Sequence, residues 1–275
     1  MNSDTIAFIG GGNMATSLIG GLVADGHPRD AIWVTDVRAD KLEALQDRFR
    51  VNTTGDNNLA VRRAETVVLA VKPQVMPAVL ADIGPSAKET APLLVSIAAG
   101  VRERDILRGL AYDAAIVRTM PNTPALLRCG ATALYANAFV SAEQRSRAEN
   151  ILRAVGITQW VKDESLLDAV TAVSGSGPAY YFFLMELMER IGVELGLNGE
   201  TARALVLQTA LGAARMASET GESPETLRRK VTSPGGTTEA ALNRLDAGEF
   251  EAVLRQALEA ARDRAVSLGD ELGAG

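Results

Sequence analysis

An apolar run meets a glycine cluster at the start of the chain, and this junction constrains the fold more than any other stretch. Residues Ile6–Ile9 have the composition of a buried strand, Gly10, Gly12 and Ala15 give the pattern G-x-G-x-x-A, and apolar residues at helical spacing follow through Ala24. The first glycine permits a tight turn, the second lets a pyrophosphate approach the backbone, and the small third residue lets helix and strand pack closely. A helix start also offers free N–H groups to phosphates. A glycine-rich turn without a ligand is the alternative, but the flanking strand and helix favour a dinucleotide site.

Composition and charge limit the classes of function. The 275 residues are enough for two domains, and a net charge of −6 disfavours nucleic acid and anionic membranes as partners. No apolar stretch reaches the ~20 residues of a membrane span, and no signal-peptide pattern is present, so we expect a cytoplasmic protein. Cys129 is the only cysteine, which excludes an intrachain disulfide. The only histidine, His27, lies in a turn where we expect it to be exposed, so an enzyme with this sequence would use neither histidine nor a metal.

Functional residues of a parallel sheet lie beyond the carboxyl ends of its strands. The second predicted strand, 31–35, is followed by Asp36 and Arg38. An acidic residue here binds the adenosine ribose hydroxyls, whereas an arginine accommodates a 2′-phosphate, so the sequence leaves NAD and NADP both open. Asn57 lies in a polar stretch, 52–58, that suits either an adenosine contact or a turn with a helix cap. Lys72 follows the strand over 65–71, where it is either a ligand contact or a solvated charge.

Later strand ends carry small residues and prolines. The strand over 93–97 ends in Ala98 and Ala99, which permit close approach of a flat ring, and a further strand leads into Met120 and Pro121. Alternating strand and helix patterns predict a mostly parallel, Rossmann-like α/β domain over 1–162. Only helical patterns follow, so residues 163–275 are predicted to be all-α. The alanine-rich segment 201–219 predicts close helix packing, and we expect two chains to interleave these helices as an obligate dimer.

A second glycine-rich loop precedes a helix predicted over 239–245. It reads Ser233-Pro234-Gly235-Gly236-Thr237-Thr238 and places free N–H groups and hydroxyls at a helix start. Such a loop suits a substrate carboxylate. The alternative is an ordinary helix start, capped by the side chain of Thr237 or Thr238.

Five motifs, in this order, resemble those of the pyrroline-5-carboxylate reductases, which catalyse the last step of proline biosynthesis. The similarity covers essentially the whole chain. The motifs are Gly10–Ala15, Ala70–Gln74, Met120–Pro124, Ala172–Tyr180 and Val231–Thr238.

The resemblance implies a Rossmann-like domain, a helical dimerisation domain and a substrate pocket between them, near the dimer interface. It also implies NADPH as cofactor, with NADH as the alternative, and a homodimer, with a decamer of dimers as the larger alternative. The implied cofactor contacts are Ile9, Gly10, Gly12, Asn13, Met14, Asp36, Arg38, Asn57, Ala70, Val71, Lys72, Pro73, Ala98, Ala99, Met120 and Pro121.

The resemblance also assigns the substrate residues. The implied substrate contacts are Ser233, Gly235, Gly236, Thr237, Ser176 and Gly177. The hydroxyl of Thr238 would meet the ring nitrogen of the cyclic imine and act in catalysis. A substrate glutamate of the family falls at either Glu219 or Glu222, and the sequence does not choose between them.

Rival functions make different demands on the chain. A β-hydroxyacid dehydrogenase needs a catalytic lysine on the helix between its domains, but residues 177–196 contain no lysine. A non-catalytic NADP-binding sensor needs the Gly10 loop and has no use for the loop over 233–238. A purely structural protein has no use for either loop. The reductase therefore remains the favoured hypothesis.

Overall fold

The computed structural model describes residues 4–274, which divide into two compact units. The first unit contains residues 4–176 and 261–274, and the second contains residues 177–260. Within the described residues, no helix combines the length and the apolar character that crossing a membrane requires. The functional boundary predicted at residue 162 stays a prediction, because compactness within one chain does not test which residues work together.

The first unit is built on one eight-stranded sheet with the order β3-β2-β1-β4-β5-β6-β7-β8. All neighbouring strands are parallel except β6 and β7, which are antiparallel. The strands are β1 (Ile6–Ile9), β2 (Ile32–Thr35), β3 (Asn52–Thr54), β4 (Thr66–Leu69), β5 (Leu93–Ser96), β6 (Ile116–Met120), β7 (Gly130–Ala136) and β8 (Gly156–Trp160). The predicted mostly parallel, Rossmann-like fold is confirmed.

Helices cover both faces of this sheet. They are α1 (Asn13–Ala24), α2 (Ala39–Phe49), α3 (Asn57–Arg63), α4 (Met76–Thr90), α5 (Glu103–Leu110) and α6 (Ala142–Arg153). Alternate residues of β1 point to opposite faces, so that Phe8 packs with α1, α2 and α6, whereas Ile9 packs with α3, α4 and α5. Because both faces are covered, the central strands are buried on both sides and largely apolar, without an alternation of apolar and polar residues.

Strand β3 is an element that the sequence analysis missed. Its three residues lie in the polar stretch 52–58, for which the sequence left an adenosine contact and a turn with a helix cap open, and they pair with Trp33–Thr35 of β2. The Asn52 side chain donates hydrogen bonds to the carbonyls of Asp30 and Ile32, at 2.8 and 3.1 Å, which fixes the start of the strand. A short polar strand is well suited to a sheet edge, because one side of it faces solvent.

From Leu166 to Gly273 the chain forms only helices and their connections. These are α7 (Leu166–Val170), a π-helical turn (Thr171–Gly175), α8 (Gly177–Glu194), α9 (Gly199–Glu219), α10 (Pro224–Lys230), α11 (Thr237–Ala247) and α12 (Phe250–Gly273). The predicted all-α character of this part is confirmed. Helix α12 belongs to the second unit through Ala260 and to the first unit from Ala261 onward.

Candidate functional site

Four neighbouring strands end at the same edge of the sheet, here called the carboxyl edge. Strands β1, β4, β5 and β6 are adjacent and parallel, so the loops that follow them lie side by side. Those loops contain the predicted cofactor residues Gly10–Met14, Ala70–Pro73, Ala98–Ala99 and Met120–Pro121. The structure therefore brings together residues that are separated by more than 100 positions in the sequence.

The glycine loop after β1 is shaped by contacts that exclude side chains. Gly10 has φ +106°, and a Cβ atom there would lie 2.7 Å from the carbonyl oxygen of Ala70. Gly12 is the N-cap of α1, and no side chain caps this helix start. A Cβ atom at Gly12 would meet no atom within 4 Å, so the space in front of the helix is open. An uncapped helix start beside open space fits a pyrophosphate group.

Asp36, directly after β2, is bonded to the glycine loop of its own chain. Its carboxylate accepts hydrogen bonds from the amides of Gly11 and Arg38, both at 3.0 Å, and from the Lys41 ammonium at 3.1 Å. Burial alone would raise the pKa of Asp36, but these hydrogen bonds outweigh it and hold the pKa below its usual value. The Arg38 guanidinium pairs with Asp40 in solvent. Asp36 therefore helps to hold the glycine loop in place.

Asn57 begins α3 beside the end of β2. Its side-chain oxygen accepts a hydrogen bond from the Thr35 hydroxyl at 2.7 Å, and its amide group donates to Asp82 at 3.3 Å. The neighbouring Asn58 donates to the same carboxylate at 3.1 Å. The cap of α3 is Asp56, whose side chain accepts from the Leu59 amide at 3.0 Å. The bond to Thr35 thus fixes Asn57 beside the end of β2, where the sequence predicts the adenosine contacts of the cofactor.

Exposure differs among the residues after β4 and β5. Lys72 is exposed and precedes a short 3₁₀ turn, Pro73–Val75. Ala98 is buried, whereas the side chain of Ala99 is exposed at the carboxyl edge. A small exposed residue beside a buried one leaves room for a flat ring close to the backbone.

The π-helical turn packs against the end of β6. A Cβ atom at Gly175 would lie 2.4 Å from the terminal methyl carbon of Met120. Asn122 links the two segments, because its amide group donates to the Ser174 carbonyl at 3.1 Å and its oxygen accepts from the Ala131 amide at 2.9 Å. Ser176 closes the turn through its own amide, which donates to the Thr171 carbonyl at 2.8 Å. A predicted substrate residue, Ser176, thus closes a turn that packs against the predicted cofactor residue Met120.

A buried charge cluster beneath this region was missed. The Arg118 guanidinium lies 2.6 Å from the Glu164 carboxylate, which also accepts from the Glu103 amide at 2.6 Å. Burial raises the pKa of Asp168 nearby, although Arg118 opposes the rise. Burial and the charge of Glu103 raise the pKa of Tyr135. The only available signal was an arginine that follows two apolar residues inside a predicted strand.

The expected exposure of His27 is wrong. Its side chain is half-buried, burial lowers its pKa, and its Nε2 atom has no hydrogen-bond partner among residues 4–274. It follows α1, which runs back from the carboxyl edge, so it lies near the opposite edge of the sheet. The position of His27 therefore gives it no part in chemistry at the carboxyl edge.

In the second unit, the loop before α11 forms an uncapped helix start. The helix begins at Thr237, two residues earlier than predicted, with Gly236 as its N-cap and no capping side chain. Capping by Thr237 or Thr238 is therefore wrong. Gly235 has φ +71°, and its amide donates to the Glu239 carboxylate of the same chain at 2.8 Å. A backbone N–H of this loop thus binds a carboxylate, that of Glu239 in the same chain.

Both candidates for the substrate glutamate of the family form ion pairs in this chain. Glu219 pairs with Arg215 at 2.8 Å, and Glu222 pairs with Lys230 at 2.5 Å. Both pairs lie in the second unit. These contacts do not choose between the two residues.

Comparison with known proteins gives concordant matches. A family model described as pyrroline-5-carboxylate reductase dimerisation matches residues 164–268, and one described as NADP oxidoreductase, coenzyme F420-dependent, matches residues 5–100. The pyrroline-5-carboxylate reductase of Pseudomonas aeruginosa is 51% identical over 99% of this chain and 100% of its own length.

Solved structures agree with these matches. A pyrroline-5-carboxylate reductase from Coxiella burnetii has a TM-score of 0.94 at 45% identity, covering 97% of this chain and 99% of its own. A pyrroline carboxylate reductase from Plasmodium falciparum with NADP bound has a TM-score of 0.84 at 28% identity, covering 98% and 99%.

Proposed function

The chain belongs to the pyrroline-5-carboxylate reductase family, and from that premise we propose how its residues divide the work of the reaction. As an oxidoreductase of this family, it reduces 1-pyrroline-5-carboxylate to L-proline with NAD(P)H, the last step of proline biosynthesis. The predicted enzyme class is confirmed. The assignment of individual residues is our proposal.

The carboxyl edge is proposed to bind the cofactor. The collision-free space at Gly12 and the uncapped start of α1, with Asn13 and Met14 in its first turn, fit the pyrophosphate. Asp36, Arg38 and Asn57 lie at the strand ends proposed for the adenosine end. Ala98, Ala99, Met120 and Pro121 are assigned to the nicotinamide end, where the bound cofactor supplies a hydride.

NADPH is the proposed preferred cofactor. Both oxygens of the Asp36 carboxylate already accept hydrogen bonds from the chain. The Arg38–Asp40 pair is exposed, and exposed pairs contribute little to stability because solvent screens them. Arg38 can therefore leave Asp40 for a 2′-phosphate at little cost.

The loop before α11 is proposed to hold the substrate. The uncapped start of α11 carries this assignment, because the N–H groups of its first turn, beginning with Thr237, suit the carboxylate of a pyrroline. The Gly236 amide already donates to the Ser233 carbonyl at 3.0 Å, so Gly236 contributes as the N-cap that shapes the loop. Ser233 and Gly235 shape the loop, and Ser176 and Gly177 are proposed as further substrate contacts. The protonated imine is already electrophilic, so correct positioning supplies most of the catalysis, about 7–11 kcal/mol in favourable cases. The Thr238 hydroxyl is assigned to the ring nitrogen.

The Thr238 assignment has a matched control in its neighbour. Thr238→Ala should lower kcat about 100-fold, as expected for the loss of a positioned proton donor or acceptor, while the Kd for NADPH stays unchanged. Thr237→Ala keeps its backbone N–H and should retain activity. The measurement is the loss of NADPH absorbance with 1-pyrroline-5-carboxylate, together with NADPH titration. Full turnover by Thr238→Ala would remove Thr238 from the mechanism.

Self-association follows from the matched dimerisation region, and the assembly itself is a proposal. We propose a homodimer as the working unit, with a decamer of dimers as the larger form that light scattering would reveal. The cytoplasmic location expected from the sequence also stays a prediction, which cell fractionation would check.

A further inference from the structure

The C-terminal end of α12 packs against the loop after β5, and we infer that this contact positions Ala98–Gly100 for the cofactor. The contact is here called the α12 joint, and it consists of residues 266–273 packed on residues 100–108. The inference rests on the proposed cofactor role of Ala98 and Ala99. All of these residues belong to the first unit.

Three glycines let the end of α12 approach the loop after β5 and helix α5 closely. Gly100 has φ +77°, and a Cβ atom there would lie 3.1 Å from Cδ1 of Leu272. A Cβ atom at Gly269 would lie 3.0 Å from Nε of Arg102, and one at Gly273 would lie 3.0 Å from Oδ2 of Asp105. Gly269 and Gly273 are four residues apart, so they lie on one face of the helix. That face is flat enough for charged side chains of α5 and its N-cap to rest on it.

Arg102 holds the joint through two hydrogen bonds. Its Nη1 atom donates to Asp270 at 2.6 Å, and its Nη2 atom donates to the Val266 carbonyl at 3.1 Å. Only 22% of the Arg102 side chain is exposed. A planar guanidinium can reach both acceptors in one fixed orientation, which the single ammonium of lysine does not reproduce.

A second arginine reinforces this anchor. The Nη2 atom of Arg108 donates to the Gly273 carbonyl at 2.9 Å and lies 3.1 Å from the Asp105 carboxylate. Cations near the last carbonyls of a helix are favourable, because those carbonyls carry a partial negative charge. Arg108 therefore stabilises the end of α12 on α5.

The loop is fixed at both of its ends. Strand β5 holds the upstream end, and Arg102 holds the downstream end, two residues after Gly100. Leu272 packs into the same apolar cluster as Ala98 and Val101. The Glu103 amide also donates to Glu164, so release of Arg102 would loosen the downstream end rather than free it, and the exposed side of Ala99 would no longer keep one position. We therefore assign Arg102 as a positioning residue for the cofactor.

The test compares two ion pairs on the last turns of α12. Arg102→Ala should raise the Kd and the KM for NADPH roughly tenfold, or about 1.4 kcal/mol, and leave the KM for 1-pyrroline-5-carboxylate within about twofold. Arg102→Lys should recover part of the affinity, because it restores one of the two contacts. Arg264→Ala removes an exposed pair with Glu271 on the same turns and should change none of these values. A titration of NADPH fluorescence measures the Kd for each variant.

Two further variants distinguish a failure of the proposed cofactor role of the loop from a failure of the positioning role of Arg102. Ala99→Leu tests the loop directly, and unchanged NADPH binding by it would reject the proposed cofactor role of the loop. Weakened binding by Ala99→Leu, together with wild-type binding by Arg102→Ala, would overturn the positioning role alone. If Arg102→Ala does not fold, Asp270→Asn serves instead, because its side chain is 61% exposed and the backbone contacts remain. It should raise the Kd for NADPH about threefold, and an unchanged Kd would likewise overturn the inference.

Discussion

At the scale of single residues, Asp36 shows which contacts a local sequence motif predicts and which it does not. The sequence places an acidic residue after β2, where a ribose contact is common. The structure shows that its carboxylate accepts hydrogen bonds from the amides of Gly11 and Arg38. The glycine pattern was predictable because its residues are adjacent. The bond from Gly11 to Asp36 was not, because it joins residues 25 positions apart.

The preference between cofactors is testable at Arg38. Arg38→Ala should raise the KM for NADPH about tenfold or more, because it removes a charge-assisted hydrogen bond to the 2′-phosphate. The KM for NADH should stay unchanged, since NADH has no 2′-phosphate. Arg48→Ala is the control, because Arg48 lies over the ring of Phe49 in the last turn of α2, at the opposite end of the helix from the N-cap Arg38. Equal losses with both cofactors would show that Arg38 does not read the phosphate.

The partners of charged side chains were also not predictable from the sequence at this scale. Arg118 and Glu164 are 46 residues apart, and neither belongs to a motif. The same holds for Arg102 and Asp270, which are separated by 168 positions. Such pairs are set by tertiary packing, which a linear pattern does not encode. His27 was assigned wrongly for the same reason, since its burial depends on chain that is distant in sequence.

At the scale of elements, the alternating patterns predicted a mostly parallel sheet, but they gave neither the strand order nor the one antiparallel pair. An apolar run of seven residues reads the same in a parallel or an antiparallel pair, so the reversal at β7 carried no signal. Strand β3 was missed because three polar residues resemble a turn. The start of α11 was placed two residues late, because its cap is a glycine without a capping side chain.

The junction of β7 and β8 gives a prediction about stability. Gly156 has φ +153°, and a Cβ atom there would lie 1.9 Å from the Gly130 carbonyl oxygen. Gly156→Ala should therefore lower the free energy of unfolding by about 2 kcal/mol or more, through strain and displacement of the strand. Urea unfolding at a fixed protein concentration measures this change.

A second glycine provides the control for that measurement. A Cβ atom at Gly55 would meet nothing within 4 Å, so Gly55→Ala should change the unfolding midpoint little. If Gly156→Ala unfolds at the wild-type urea concentration, the close contact with Gly130 does not constrain the sheet.

At the scale of the whole molecule, the apolar face of the second unit matters most. Large side chains of α8 and α9 are extensively exposed in the single chain, among them Phe182 at 64% and Leu207 at 45%. They line a cleft of about 620 Å³ together with Met185, Val193 and five charged side chains. Exposed apolar surface of this extent marks a protein interface. The alanine-rich pattern predicted close helix packing, but it did not show which side chains line the cleft.

The dimer prediction can be tested by placing charge on that face. Phe182→Glu and Leu207→Glu should each shift the protein towards monomer, because a buried unpaired carboxylate opposes association. Analytical ultracentrifugation over a range of concentrations measures the shift. Leu127→Glu changes a side chain that is 80% exposed in the first unit and should leave the assembly intact. Unchanged association of the first two variants would move the interface elsewhere.

The isolated half-buried histidine has a practical consequence for spectroscopy. Because the chain contains one histidine, its ring protons give a single pair of imidazole signals in a proton NMR spectrum. These signals report from the turn after α1, near the edge of the sheet opposite the glycine loop. A spectroscopist would thus have a built-in marker, without labelling, that records whether events at one end of the domain are sensed at the other.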